Sequence, residues 1–179
     1  HSPLPALLGL LKRGDIVTHL YAPAPNGILG PDGRVLPEVL ASRRRGVLFD
    51  FANGRNGHVT WDVAERAMKQ SFTPDTISTD WNTESRTTGV IDFANVMSKF
   101  LLMGMPLNDV IACVTSNAAS AIREYRSYGS LRAGSIADVT VLELASGNFS
   151  FVDNYKGMRS GMQRLMTRAV VNGGRVVVG

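Results

Sequence analysis

Between Gly14 and Asp80 the chain repeats one pattern: a short apolar run, an ionisable residue, a loop, then a helical stretch. The runs are Ile16-Val-Thr18 before His19, Val47-Leu-Phe49 before Asp50, and Thr76-Ile-Ser-Thr79 before Asp80. Alternating strands and helices make parallel βα units. Short continuous apolar runs are what strands covered on both faces require. The intervening helices carry their own signals. Residues 3–13 place Leu4, Leu7, Leu8 and Leu11 on one stripe. Pro37 suits the first turn of a helix that runs to Arg45. Thr60 is a good N-cap for residues 61–70, with Asp62 well placed in the first turn and Trp61, Ala64 and Met68 on one face. The loop over residues 22–36 is long and rich in Pro and Gly, which is more typical of a functional loop than of a plain connection.

Further on, Phe93, Val96, Met97, Phe100 and Leu101 mark a helix, Pro106 opens another through Val114, and Asn117 starts a shorter one to Ile122. After Ser127 the character changes. Residues 137–144, 149–153 and 169–178 read as strands separated by Gly-rich turns. The expected class is therefore α/β: a βα portion over residues 1–126 and a β-rich subdomain over 127–179.

Composition excludes several classes. The longest apolar run, Phe100-Leu-Leu-Met-Gly-Met-Pro106, falls short of the roughly 18–20 residues a membrane helix needs. The chain opens with His1-Ser-Pro, without an initiator Met and without the basic stretch and apolar core of a secretory signal. A single cysteine, Cys113, makes no internal disulfide. That favours a reducing, cytoplasmic setting and a buried structural thiol. The net charge of +4 raises the question of nucleic acid, but its densest cluster is only Arg43-Arg44-Arg45 before Gly46. Cations in a last helical turn complement the dipole, and glycine is a usual stop. A phosphate patch is the other reading of the cluster; no nucleic-acid partner is expected.

Sites in parallel βα architectures form at the C-terminal ends of strands. His19, Asp50 and Asp80 stand there, and His1 is read as the end of a fourth strand whose body is absent. One histidine or one aspartate at such a place is weak evidence, because packed histidines and turn-capping aspartates are common. Together, imidazoles and carboxylates on neighbouring strands suit a divalent cation such as zinc. Lowering the pKa of bound water from about 15.7 to about 7 is worth roughly 12 kcal/mol, which no neutral hydrogen bond approaches. Asp50 is read as structural, holding a turn or loop.

Several motifs resemble a known family: Thr18-His19 after an apolar strand, Pro74-Asp-Thr-Ile-Ser-Thr-Asp80, and Met97-Ser-Lys-Phe-Leu-Leu-Met-Gly-Met-Pro-Leu107. So do Gly129-Ser-Leu-Arg-Ala-Gly-Ser-Ile-Ala-Asp-Val-Thr-Val-Leu142 and the terminal Val170-Val-Asn-Gly-Gly-Arg-Val-Val177. In this order they resemble the dihydroorotase-like amidohydrolase/deacetylase metallohydrolases of the amidohydrolase superfamily. The resemblance implies the C-terminal part of a (β/α)₈ TIM-type barrel plus strands of a small β-sandwich. It implies one or two divalent ions, zinc first among them, with His1, His19 and Asp80 as ligands. It also implies that Asp80 is general base and acid in hydrolysis of an amide or ester of a small molecule. A deaminase of the same superfamily and a non-catalytic dihydroorotase-like scaffold are the alternatives.

The sequence departs from that pattern in one loop. Where many deacetylase-type relatives carry Gly-His-Gly, this chain reads Phe51-Ala-Asn-Gly-Arg-Asn-Gly-His58. Asn53, Arg55 and His58, with Asn82 after Asp80, are the expected substrate-binding residues. Arg55 is suited to a substrate carboxylate, and equally to being a solvated loop residue. A complete barrel takes about 250 residues, so the partner expected besides a small-molecule substrate is a missing N-terminal half, in the same chain or a second one. Homo-oligomer formation is left open.

Overall fold

The computed structural model describes residues 3–54, 57–83, 85 and 92–178. The predicted alternation is present: α1 (Leu4–Leu10), β1 (Ile16–Val17), α2 (Pro37–Arg45), β2 (Leu48–Phe49), α3 (Trp61–Lys69). β1 and β2 pair in parallel, Ile16 opposite Leu48 and Val17 opposite Phe49. A third parallel segment extends the ladder beyond β2. Asp50 bridges Thr76, and Phe51, Asn53 and Gly54 donate their N–H groups to the carbonyls of Thr76, Ser78 and Thr79. The regular strands are shorter than the apolar runs because each strand soon turns away. His19, Ala52 and Asp80 adopt positive φ values of 61°, 36° and 46°, a region non-glycine residues rarely visit.

Contacts group the chain into two units, His1–Ile91 with Val152–Met158, and Asp92–Phe151 with Arg159–Gly179. The core of the first includes Tyr21, Val39, Phe49, Phe51, Ala64 and Phe72. Tyr21 is fully buried and donates its hydroxyl to the Phe72 carbonyl at 2.9 Å. Two arginines of the cluster, Arg43 and Arg45, serve this packing, while Arg44 is exposed. Gly46 caps α2 in the left-handed conformation. Arg43 donates to the Thr73 carbonyl, lies 3.4 Å from Asp75, and stacks 3.7 Å over the Phe72 ring. Burial lowers the pKa of its guanidinium from the ordinary value, and Asp75 opposes that shift. Arg45 donates to the Leu8 carbonyl and to Ser42.

In the second unit α4 (Phe93–Leu102), α5 (Leu107–Val114) and α6 (Ser116–Ala121) precede a sheet ordered β3 (Val139–Val152), β4 (Met158–Asn172), β5 (Arg175–Val178). Asp92 caps α4 by accepting from the Asn95 amide and pairs with Arg164 at 2.9 Å. Ser98 accepts from the Leu165 amide at 2.8 Å, which fixes α4 to β4. Cys113 is buried. β3 runs unbroken where the sequence suggested a turn at residues 145–148, and β4 starts at Met158 rather than near residue 169. Two long hairpin partners satisfy each other's backbone groups whatever their side chains, so polar stretches such as Arg159-Ser-Gly-Met-Gln-Arg164 stay in register. Gly161 is needed for close approach: a Cβ there would lie 3.0 Å from Leu102 and 3.1 Å from Phe151. Among the described residues no helix is long and apolar enough to cross a membrane.

Candidate metal centre

The three strand ends are held together from below by one carboxylate. Asp50 Oδ1 accepts from Thr76 Oγ1 at 2.7 Å, and Oδ2 accepts from Thr18 Oγ1 at 3.0 Å and Ser78 Oγ at 2.7 Å. Thr18 immediately precedes His19, and Ser78 lies two residues before Asp80. The left-handed turns at His19 and Asp80 then swing both side chains toward each other, to a His19 Nε2–Asp80 Oδ2 distance of 3.9 Å. Left-handed non-glycine residues cost of order 1–2 kcal/mol each, and such strain clusters at functional sites.

His58 completes the group. Its Nδ1 lies 3.5 Å from Asp80 Oδ2, closer than His19, and its ring stacks on that of His19 with centroids 3.6 Å apart. The sequence reading set His58 on the substrate side; in the structure its ring stands beside His19 and Asp80. All three donor atoms lie within 4.8 Å of one another. They come from three different strand-to-helix loops, so sequence spacing gave no local motif for them.

The residues fit a divalent cation. Two nitrogens and a carboxylate oxygen are a zinc donor set. His19 directs Nδ1 to the Ala52 carbonyl at 3.2 Å. Such an outer hydrogen bond would orient a ligating imidazole and leave Nε2, the nitrogen that faces Asp80, for an ion. Gly54, at φ +53°, keeps the space open: a Cβ there would collide with His58 Nδ1 and lie 2.7 Å from Asp80 Oδ2.

Beside the histidines is a cavity of about 630 Å³, bordered by Val17, Leu7, Tyr155 and the Pro23-Ala24-Pro25 turn of the long loop. Of the other expected site residues, Asn53 is wholly buried, with its backbone N–H donating to the Ser78 carbonyl. Asn82 is exposed and donates its side-chain amide to the Asp80 carbonyl at 3.2 Å. His1 and Arg55 lie outside the described residues.

A model of the amidohydrolase family matches residues 38–177. The chain belongs to the amidohydrolase family. A deacetylase of Brucella anthropi is 31% identical over 148 residues, 83% of this amidohydrolase chain and 36% of the relative. A deacetylase of Agrobacterium fabrum is 31% identical over 159 residues, 89% of this chain and 38% of the relative. The crystal structure of an adenine deaminase superposes with a TM-score of 0.92 at 26% identity, over 98% of this chain and 48% of that one. A dihydroorotase structure gives 0.86 at 28% identity, over 99% and 49%. The chain thus spans between about a third and a half of the length of the relatives it matches.

Proposed function

We propose that the intact protein hydrolyses an amide or ester bond in a small acylated molecule, with a divalent metal ion, zinc first among candidates, held in part by His19 and Asp80. In this reading residues 1–126 are the C-terminal part of a (β/α)₈ barrel and 127–179 belong to a composite β-sandwich. The observation that carries it is the meeting of His19, His58 and Asp80 from successive parallel strand ends. The parallel ladder with a helix in each connection supports the barrel. The deacetylase relatives favour release of an acyl group over deamination, and the donor set speaks against a purely structural scaffold.

A bound divalent cation supplies Lewis-acid polarisation and a lowered water pKa. Asp80 does the proton work. It turns Oδ2 toward the histidines and is exposed enough to meet a substrate. Its Oδ1 takes the proton of the attacking water, then delivers it to the leaving nitrogen or oxygen. His19, fixed by the Ala52 carbonyl, keeps the donor set in place. Arg55 and Asn82 are assigned to the substrate, Arg55 as the partner of a carboxylate. The loop that follows Asn53 brings Gly57 and His58 to the border of the cavity.

The Asp80→Asn variant of the intact protein tests this on a panel of N-acyl and O-acyl acids. General acid–base groups contribute roughly 10²–10⁴-fold, and a loss of that size is expected with the circular dichroism spectrum unchanged. Turnover at the level of the unsubstituted protein would overturn the assignment.

A further inference from the structure

We propose that His58 is itself a metal ligand, so that His19 Nε2, His58 Nδ1 and Asp80 Oδ2 form a three-donor cation site contained within this chain. The inference rests on the metal-dependent reading above and adds a ligand to it.

Distance is the first argument. Two ligands about 2.0–2.1 Å from a tetrahedral zinc lie roughly 3.3 Å from each other. The His58–Asp80 separation of 3.5 Å is nearer to that value than the His19–Asp80 separation of 3.9 Å. If His19 is placed to bind, His58 is placed at least as well. The two rings stack with centroids 3.6 Å apart, so binding one ion requires them to splay while their nitrogens stay near Asp80 Oδ2.

Rigidity is the second. A ligand from a loop is useful only if the loop is held. The residue after His58, Val59, accepts at its carbonyl from the Asn154 amide at 3.2 Å. On the other side, the Gly54 carbonyl accepts from Asn154 Nδ2 at 3.4 Å. Trp61, where α3 begins, donates its amide to Asp153 at 3.0 Å and its indole N–H to the Gly157 carbonyl at 2.9 Å. His58 is thus bracketed by anchored residues, and its side chain is only 20% exposed. Space is the third argument: the volume that a side chain at position 54 would fill is the gap between His58 Nδ1 and Asp80 Oδ2.

The test uses the intact protein stripped of metal and refilled with cobalt(II), read by its visible d–d absorption and by chelator competition. Loss of an outer hydrogen bond to a ligand alone weakens affinity roughly 10–100-fold. His58→Ala is therefore expected to weaken cobalt binding by about 100-fold or more and to change the spectrum. His58→Cys is expected to restore binding with a new thiolate-to-cobalt charge-transfer band. A folded His58→Ala protein with unchanged spectrum and affinity overturns the proposal. Should that variant not fold, a folded, cobalt-loaded His58→Cys protein without the new band overturns it equally. His19→Ala separates the two readings. If it weakens cobalt binding and His58→Ala does not, only the His58 inference falls. If neither affects it, the metal reading of the whole cluster falls.

Discussion

The unit from which the site is built is a single residue in an uncommon backbone state. His19, Ala52 and Asp80 each end a parallel strand with φ above zero. A histidine continuing in the extended conformation would point along the pleat; turned left-handed, it faces its neighbours across the strand ends. What stabilises those turns is largely Asp50, which accepts three hydroxyl hydrogen bonds, from Thr18, Thr76 and Ser78. Hydrogen bonds to a charged group contribute about 1.5–3 kcal/mol each, and less where water competes. Asp50→Ala is therefore expected to lower unfolding free energy by about 2–3 kcal/mol, read from urea denaturation. It should also weaken metal affinity by roughly 10–100-fold, as outer-shell changes do. Unchanged affinity would show that the strand ends hold their geometry without it. The sequence marked Asp50 as structural, but its three partners lie on the two strands that flank it, Thr18 on one and Thr76 and Ser78 on the other, and no spacing rule connects them.

At the scale of elements, α3 shows how a distant segment orders the site. Thr60 caps the helix locally, accepting from the Val63 amide. Asp153, in the tip between β3 and β4, adds a second capping acceptor, taking the first helical amide, Trp61 N. The same carboxylate accepts from the Tyr155 and Gly157 amides at 2.9 and 2.7 Å. It is 6% exposed, so removing it takes an acceptor from the buried Trp61 amide and from two part-buried amides, at about 1–3 kcal/mol for a buried group. Asp153→Ala is expected to lower stability by about 3 kcal/mol or more and to loosen the loop that carries His58. Thermal unfolding and proteolysis near residues 54–60 measure the two effects; a melting temperature within a degree of the parent would refute the role. The helices were legible because their signals are local: Thr60 before α3, Pro37 inside α2, Gly46 after it. The parallel strands were legible as apolar runs ending in chemistry. The length of β3 and β4 was not, because a polar strand is specified by its partner's backbone. Nor was the part His58 takes in the ligand cluster, since only the folding of three loops onto one carboxylate sets it there.

For the molecule as a whole, the question is what completes it. The relatives extend well beyond the part this chain matches. Large apolar side chains stand in solvent on β5, where Val176 is 71% exposed, and in the sheet, where Met162 is 70% exposed. Such surface is costly unless covered. The parallel ladder makes the point more sharply. Asp15 and Val17 use their carbonyls on the Leu48 and Asp50 amides. Backbone groups alternate sides along a strand, so those of Ile16 and Thr18 face away from β2. If β1 is an inner strand of a closed barrel, those amides bond to a further strand that the rest of the protein supplies; if β1 is an open edge, water takes them. Hydrogen exchange on the intact protein distinguishes the two, because paired core amides open only with global unfolding. Ile16 and Thr18 are expected to exchange as slowly as Asp50, whose amide is already paired to the Val17 carbonyl. Exchange at those two positions orders of magnitude faster than at Asp50 would mean that the edge is open, and the barrel reading would fail while the His19–His58–Asp80 cluster would stand.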